Sequence, residues 1–578
     1  MTMHLKQNAF NRLLEMFKKY DHRPSSDQLV ALKAIQDCMT DMMSGEAGRI
    51  YYLSSLDPGI GKTSAIVTWI KAYLDAYGDD CPQGILICVD RLSEIRRYVE
   101  DCDLPQSSFA VVAGKAETYL NALGLGHAEV SKALVLITTK EQIRRRSQGV
   151  NMDDQCLFHF KGKPRAIKVW DESLSVGKDI VINPYDFGRL YTPLALVSEE
   201  LVSILQVTMQ SITTCPAGSL FTMPVLPELP HDFFEVAKWR NSSDRELLEI
   251  LWRISGQVVS IRKDRGTQLI IDCVQSIPHD FPPCMILDAS GRIKGTYRIQ
   301  QQKLENLKYL PYSNKSYRNL SIDVWRRAGG RGILKDLKTI VPELVKVINA
   351  RPGEEFLFLL YQDQEHSLKD ALSKNLSAET MGRLKYCTWG QHTATNDFCE
   401  IPNIIALSAY QYPDASYDAI TRAAGLMTSE KGVFPTQAEI NMVKRGEVSS
   451  DFLQGVTRGK PRKSEGDTCP PCRLWLIAHP KTGLEKELPT IFPDCSVGEW
   501  KTQGYTLTRK QQTAIDLIKE QLKAGLKEFP CAPIRRQLGM QQTPLKKMLK
   551  TDSFKAALES IKVQTVSLPT GMYFHVVT

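Results

Sequence analysis

The sequence predicts an α/β protein: two successive parallel-sheet lobes, the first carrying a largely helical insertion, followed by a small, mainly α unit. Short apolar runs at 50–53, 85–89, 134–137, 167–170 and 285–287 alternate with stretches of helical periodicity, the pattern of buried strands joined by crossover helices. The alternation restarts near 315, with strand candidates at 356–360, 404–407 and 474–477, and ends near 500. At 578 residues the chain also exceeds what one hydrophobic core supports, so several domains are expected.

These elements divide the chain into a first lobe at 1–310, a second at 311–504 and a C-terminal unit at 505–578, with the helical insertion at about 186–280. A composition of 43% hydrophobic and 24% charged residues is that of a folded globular chain, not a disordered or fibrous one. Residues 1–8 hold no apolar signal core, and no segment approaches the ~18 apolar residues of a membrane span, so a cytoplasmic protein without a membrane partner is expected. The 14 cysteines, irregularly spaced in a long chain, are expected to be reduced thiols. Cys469 and Cys472 have the spacing of half a zinc site, but without a second pair the preferred reading is a turn with two ordinary cysteines.

Two short motifs carry chemistry. The first, Asp57-Pro58-Gly59-Ile60-Gly61-Lys62-Thr63, follows the first strand candidate and opens a helix at Ser64. Backbone N–H groups of such a turn can wrap a triphosphate, with Gly59 and Gly61 allowing close approach, Lys62 on the β/γ oxygens and the Thr63 hydroxyl on Mg²⁺. Leu56 stands where the general pattern has Gly or Ala, and an ordinary Gly-rich turn is the alternative. The second, Val169-Trp170-Asp171-Glu172-Ser173, ends an apolar strand in two carboxylates. Asp171 suits the metal side and Glu172 the activation of an attacking water, against the alternative of two solvated acids at a strand end.

With these motifs in this order, the chain resembles the DEAD-like helicases of superfamily 2 over roughly residues 22–465. The run Pro24-Ser25-Ser26-Asp27-Gln28 resembles the element through which Gln28 reads adenine. Thr138 and Thr139 resemble a motif gripping the nucleic-acid backbone, and Asp288-Ala289-Ser290 one that couples hydrolysis to lobe movement. In the second lobe, 392–397, with Thr395 and Asn396, resembles a motif touching both ATP and the strand. The stretch from Gln454 to Arg462 resembles the arginine-finger motif, Gln454 serving coupling while Arg458 and Arg462 stabilise charge on the γ-phosphate. For Arg462 a solvated basic run with Lys460 and Lys463 is the alternative.

The resemblance implies two RecA-like lobes, ATP and Mg²⁺ as cofactors, and an ATP-dependent helicase or translocase working on nucleic acid. A single-stranded DNA track is expected, RNA stays open, and replication, recombination or defence proteins are the partners it admits. The alternative is an ATP-switched DNA-binding regulator or replication-initiation factor without processive unwinding. The chain departs from the family in its Asp-Glu-Ser triplet, in the position of Arg462, one residue late, and in the 115 positions separating Ser173 from Asp288.

The formal net charge is +8, and residues 505–578 hold 12 Lys/Arg against 5 Asp/Glu, so nearly all of the excess lies in the tail. Such a local excess favours a polyanion. An amphipathic stretch at 508–522, a second at 532–538, a turn at Gly539 and a basic helix candidate at 544–558 resemble a helix-turn-helix that presents Lys546, Lys547 and Lys550 to duplex DNA. A helical docking module has the same pattern.

Overall fold

The computed structural model describes residues 2–228, 242–390, 397–502, 507–569 and 571–577. Helices α1 (Thr2–Lys19) and α2 (Ser26–Ser44) precede strands β1 (Tyr51–Ser54), β2 (Ile85–Val89), β3 (Phe109–Val112), β4 (Val135–Thr139) and β5 (Ile167–Asp171), with α3 (Lys62–Tyr77) and α4 (Leu92–Cys102) as crossovers. An insertion then supplies β6 (Gly177–Ile182), β7 (Leu220–Thr222), β8 (Val258–Asp264) and β9 (Thr267–Gln275) before the chain returns through β10 (Cys284–Leu287), α5 (Gly295–Leu304) and β11 (Leu307–Tyr309). The first sheet has the order β11-β1-β10-β5-β2-β4-β3 and is parallel throughout.

Both faces of this sheet are covered. Along β2, Ile85, Ile87 and Val89 enter the core beneath α2 and α3, whereas Leu86 and Cys88 enter the one built around Trp170 and Phe281. That double burial is why the strands read as unbroken apolar runs.

The second lobe repeats the architecture with β12 (Leu320–Trp325), β13 (Phe356–Leu360), β14 (Leu384–Thr388), β15 (Asn403–Ala406), α6 (Asp414–Gly425), α7 (Gln437–Val456), β16 (Cys472–Ile477) and β17 (Ser496–Glu499). Its order is β14-β13-β15-β16-β12-β17, again all parallel. The predicted α/β class with two parallel lobes is therefore the observed one.

The segment 186–280 carries the helices expected of it, Gly188–Ala195, Glu199–Thr214 and Ser242–Arg253, together with a sheet that the sequence did not reveal. The insertion starts with β6 and is built on a four-stranded antiparallel sheet, β6-β9-β8-β7, backed by the last two of these helices. The hairpin β8–β9 closes on Arg265-Gly266, both at positive φ (49° and 93°), as a two-residue turn of the right twist requires. Arg-Gly is a weaker hairpin signal than Asn-Gly, which is why the strands were not legible.

This sheet reaches across to the second lobe. Arg262 pairs with Asp418, Ser260 and Ser429 share a 2.7 Å hydrogen bond, and Val258 donates its N–H to Glu430 at 2.9 Å. A Cβ at Gly177 would come within 2.6 Å of the Ala423 carbonyl oxygen, so β6 lies directly on α6.

The C-terminal unit is mainly α, as expected, and adds a small sheet that the sequence did not reveal. Helices α8 (Arg509–Lys523), α9 (Cys531–Gln537), α10 (Gln542–Leu549) and α11 (Asp552–Ser560) pack with a three-stranded antiparallel sheet, in which β20 (Gly571–Val576) lies between β18 (Glu528–Pro530) and β19 (Val563–Leu568). The single basic helix expected at 544–558 is broken at Lys550–Thr551, where Thr551 spends its hydroxyl on the Met548 carbonyl at 2.7 Å. Among the described residues no helix is long and apolar enough to cross a membrane.

Candidate functional site

β1 runs buried into the turn 55–61, and α3 begins at Lys62. Gly59 (φ 85°) and Gly61 (φ 115°) hold left-handed backbone that only glycine adopts freely. Space demands glycine as well: a Cβ on Gly59 would lie 2.1 Å from the Arg462 carbonyl oxygen, and one on Gly61 2.8 Å from the Phe17 ring. The N–H groups of the first turn of α3 have no carbonyl partner within the helix, the arrangement that receives an anion. Lys62 folds its ammonium back onto the carbonyls of Leu56 and Asp57, the second at 3.3 Å, and burial pushes its pKa down to about 8.

β5 delivers the two carboxylates. Asp171 accepts a 2.8 Å hydrogen bond from the Tyr98 hydroxyl on α4. Glu172 stands at φ 64°, a left-handed conformation that costs a non-glycine residue energy and is retained where the surroundings over-determine it. Burial pushes its carboxyl up to about 8, with Glu94 and Asp171 adding to the effect and Lys140 opposing it.

The second lobe closes the site. Gln454 lies in the last turn of α7, and beyond it Thr457, Arg458 and Arg462 line the same cavity of about 500 Å³ as Gly59, Gly61, Lys62, Thr63, Ser64, Asp171 and Glu172. Both guanidinium groups have lowered pKa values through burial, Arg462 to about 10. Among the lining residues that sequence reasoning missed are Arg91, Ser93, Glu94 and Arg97. They follow β2, and the crevice at the carboxyl ends of parallel strands is where ligands of open α/β sheets sit, which is the signal that could have found them. Chemically, five cationic side chains and the start of α3 suit an extended polyanion, beside carboxylates able to hold a metal or take a proton.

Asp288 links this cavity to α7. Its Oδ1 accepts from the Ser290 N–H (2.8 Å) and hydroxyl (2.6 Å), its Oδ2 from the hydroxyls of Ser173 (2.7 Å) and Tyr297 (2.9 Å). Burial alone would raise this carboxyl, but Lys294 and these hydrogen bonds overcome it and hold it below the usual carboxylate range. Ser290 in turn accepts from Ser450 on α7, and Lys294 joins Ser173 at 2.7 Å and Glu447 of α7 at 3.5 Å. The Ser of the Asp-Glu-Ser triplet is thus a hydrogen-bonded member of the network that runs from Asp288 to the second lobe.

Other predicted residues lie elsewhere. Gln28 is buried outside the cavity: its Oε1 accepts the Ser25 N–H at 3.1 Å as part of the α2 capping box, and its amide donates to the Asn314 carbonyl at 3.4 Å. Thr138 is buried with its hydroxyl on the Val112 carbonyl, and Thr139 caps the helix Lys140–Arg146. Thr395 and Asn396 lie outside the described residues. Lys546, Lys547 and Lys550 are exposed on and just after α10. Cys469 and Cys472 are buried, and among the described residues no group of three or more His, Cys, Asp or Glu side chains is placed to hold a metal ion.

No protein-family model matches the sequence, and no curated protein matches it. Solved structures do. An apo structure of XPD is 13% identical, covering 81% of this chain and 100% of that one, with a TM-score of 0.46. Xpd4 of S. tokodaii is 10% identical, with coverages of 81% and 99% and a TM-score of 0.49. The Mycobacterium smegmatis helicase Lhr, bound to ssDNA and AMP-PNP, is 11% identical, with coverages of 96% and 60% and a TM-score of 0.34. At such identities and scores the two-lobe reading rests on the sheet topology itself.

Proposed function

We propose that the chain is a nucleic-acid-stimulated ATPase of the helicase or translocase kind, binding ATP between its two lobes. One observation carries this: Gly59, Gly61, Lys62, Thr63, Ser64, Asp171 and Glu172 of the first lobe and Arg458 and Arg462 of the second converge on one cavity. Gly59, Gly61 and Lys62 receive the phosphates, and the arginines stabilise the charge that develops on the γ-phosphoryl group. Glu172 takes the proton of the attacking water as its oxygen bonds to phosphorus and ADP leaves. The donor set fits Mg²⁺, with the Thr63 hydroxyl and Asp171 to hold it; when bound it neutralises β/γ oxygens. Asp288, Ser290 and Gln454 pass the closure of the site into α7. Gln28, tied to the linker, has no place in this assignment.

A nucleic-acid strand is proposed to run across the lobes, with Thr395 and Asn396 among its contacts and the exposed lysines of the tail on duplex DNA. The tail's charge favours a polyanion, and its resemblance to a helix-turn-helix favours duplex DNA. The docking of the insertion on α6 favours a second reading, in which ATP acts as a switch with restricted lobe movement. ATP hydrolysis measured in parallel with single-stranded DNA, duplex DNA and RNA tests the first reading. Strand displacement separates it from the second.

A further inference from the structure

The segment joining β11 to β12 carries a fully buried lysine, Lys315. Its backbone N–H donates to the buried Asp57 carboxylate at 2.9 Å, while the preceding Asn314 carbonyl receives Gln28. The following Ser316 belongs to the second lobe, its N–H on the Asp467 carbonyl at 2.9 Å and its own carbonyl accepting the Cys469 N–H at 3.0 Å. Lys315 therefore sits where the linker passes from one lobe to the other.

Its ammonium lies among four backbone carbonyls: Pro58 of the phosphate-binding turn at 2.7 Å, and Pro461, Arg462 and Lys463 of the arginine turn at 3.0, 2.8 and 3.1 Å. A buried cation is tolerated only when its protons are hydrogen-bonded. Here three of the four acceptors belong to the second lobe and one to the first, so drawing the lobes apart strands the ammonium on Pro58 alone. The Asp57 carboxylate is already bonded by Arg292 at 3.0 Å and by the Lys315 N–H at 2.9 Å. The contact between Gly59 and the Arg462 carbonyl lies beside this ammonium, 3.6 Å from the Gly59 Cβ position.

We propose that Lys315 is a positioning residue that latches the phosphate-binding turn to the arginine turn, so that the linker between the lobes sets the distance between the two halves of the ATP site. The catalytic part of this rests on the ATPase reading, whereas the latch itself is a statement about the two turns. The Lys315 ammonium hydrogen-bonds only backbone carbonyls and lies 5.5 Å from the Tyr317 ring centroid, so removing its charge loosens the two turns against each other and alters where Arg458 and Arg462 stand without deleting a phosphate-binding group.

The test compares full-length wild type with Lys315→Met, which keeps the apolar stem, and Lys315→Arg, which keeps the charge. Hydrogen exchange without nucleotide should rise together in 57–63 and 459–463 of Lys315→Met, by about tenfold or more, with Lys315→Arg in between. With Mg-ATP, kcat should fall by about 10²-fold through misplacement of the arginines while nucleotide affinity stays within about threefold of wild type. Unchanged exchange in both turns overturns the latch, as does a wild-type kcat in a hydrolysing protein. A fall in affinity and thermal stability as large as that in kcat assigns Lys315 to general stability and overturns it too. If Lys315→Met does not fold, Lys315→Arg decides by the same exchange measurement. A wild-type chain that hydrolyses no ATP removes the ATPase reading, and the latch is still judged by exchange.

Discussion

Ser450 of the second lobe donates a 2.8 Å hydrogen bond to Ser290 of the first, and Ser290 donates its own hydroxyl to Asp288, which also accepts from Ser173, next in the chain to Glu172. The contact is buried and joins α7 to the cavity that Asp288 lines; if that cavity binds ATP, as proposed, α7 senses it through this contact. Ser450→Ala should leave the fold and basal hydrolysis near wild type and cut stimulation by nucleic acid severalfold. A double-mutant cycle with Ser290→Ala should give a coupling of about 1 kcal/mol, the worth of one buried hydrogen bond. Additive effects on the stimulated rate reject the route.

Lys62→Ala should abolish hydrolysis and leave the fold intact. Burial holds the Lys62 pKa down to about 8, and a bound triphosphate favours the charged ammonium, so the complex has the higher pKa. ATP binding therefore takes up protons between the two values, and affinity falls as pH rises through and beyond about 8. Calorimetry near that pH, in two buffers of different ionisation enthalpy, should register uptake in wild type and less in Lys62→Ala. Equal binding enthalpies in both buffers reject the assignment.

Glu172→Gln should bind ATP and fail to turn it over. The carboxyl is pushed up to about 8 by burial, and only the carboxylate can accept the proton of water. Hence kcat/KM should climb with pH up to about 8, and the corresponding limb of kcat should lie lower, because Mg²⁺ and Arg458 favour the ionised form once substrate is bound. A Glu172→Gln rate equal to wild type, or a loss of ATP binding, removes Glu172 from the role of base.

The parts of this site that local chemistry dictates were legible in the sequence. Gly59 and Gly61 stand where positive φ is needed, and an apolar strand ending in Asp171-Glu172 points its acids at a crevice whatever the rest of the fold does. What depends on tertiary convergence was not legible. Lys315 looks like any lysine in a polar linker, because its acceptors are backbone carbonyls, three of them about 146 to 148 residues downstream and without side-chain identity. Gln28 was read as an adenine contact, yet Ser25-Ser26-Asp27-Gln28 is equally a capping box, and that local hydrogen bonding is what the structure contains. The insertion hid its sheet because the strands β6 and β9 that pair across it are about 90 residues apart.

The tail distinguishes a targeted motor from one with a passive C-terminus. Its hydrophobic cluster draws only on residues between Leu507 and Val576, so deleting 505–578 opens none of the clusters of the two lobes. The deletion removes 12 Lys/Arg and 5 Asp/Glu, and with them the exposed Lys546, Lys547 and Lys550. Each cation that neutralises a phosphate releases condensed counterion, so the logarithm of duplex affinity falls with the logarithm of salt by about 0.9 per contact. Three lost contacts should therefore make the slope shallower by about 2.7. Basal ATPase should persist, since Lys62, Asp171, Glu172 and Arg458 all remain, and stimulation by single strands should survive in part through the lobes. Labelled duplex titrated at several salt concentrations against both proteins provides the measurement. Superimposable affinities and slopes would exclude duplex binding by the tail and leave a docking module as its role.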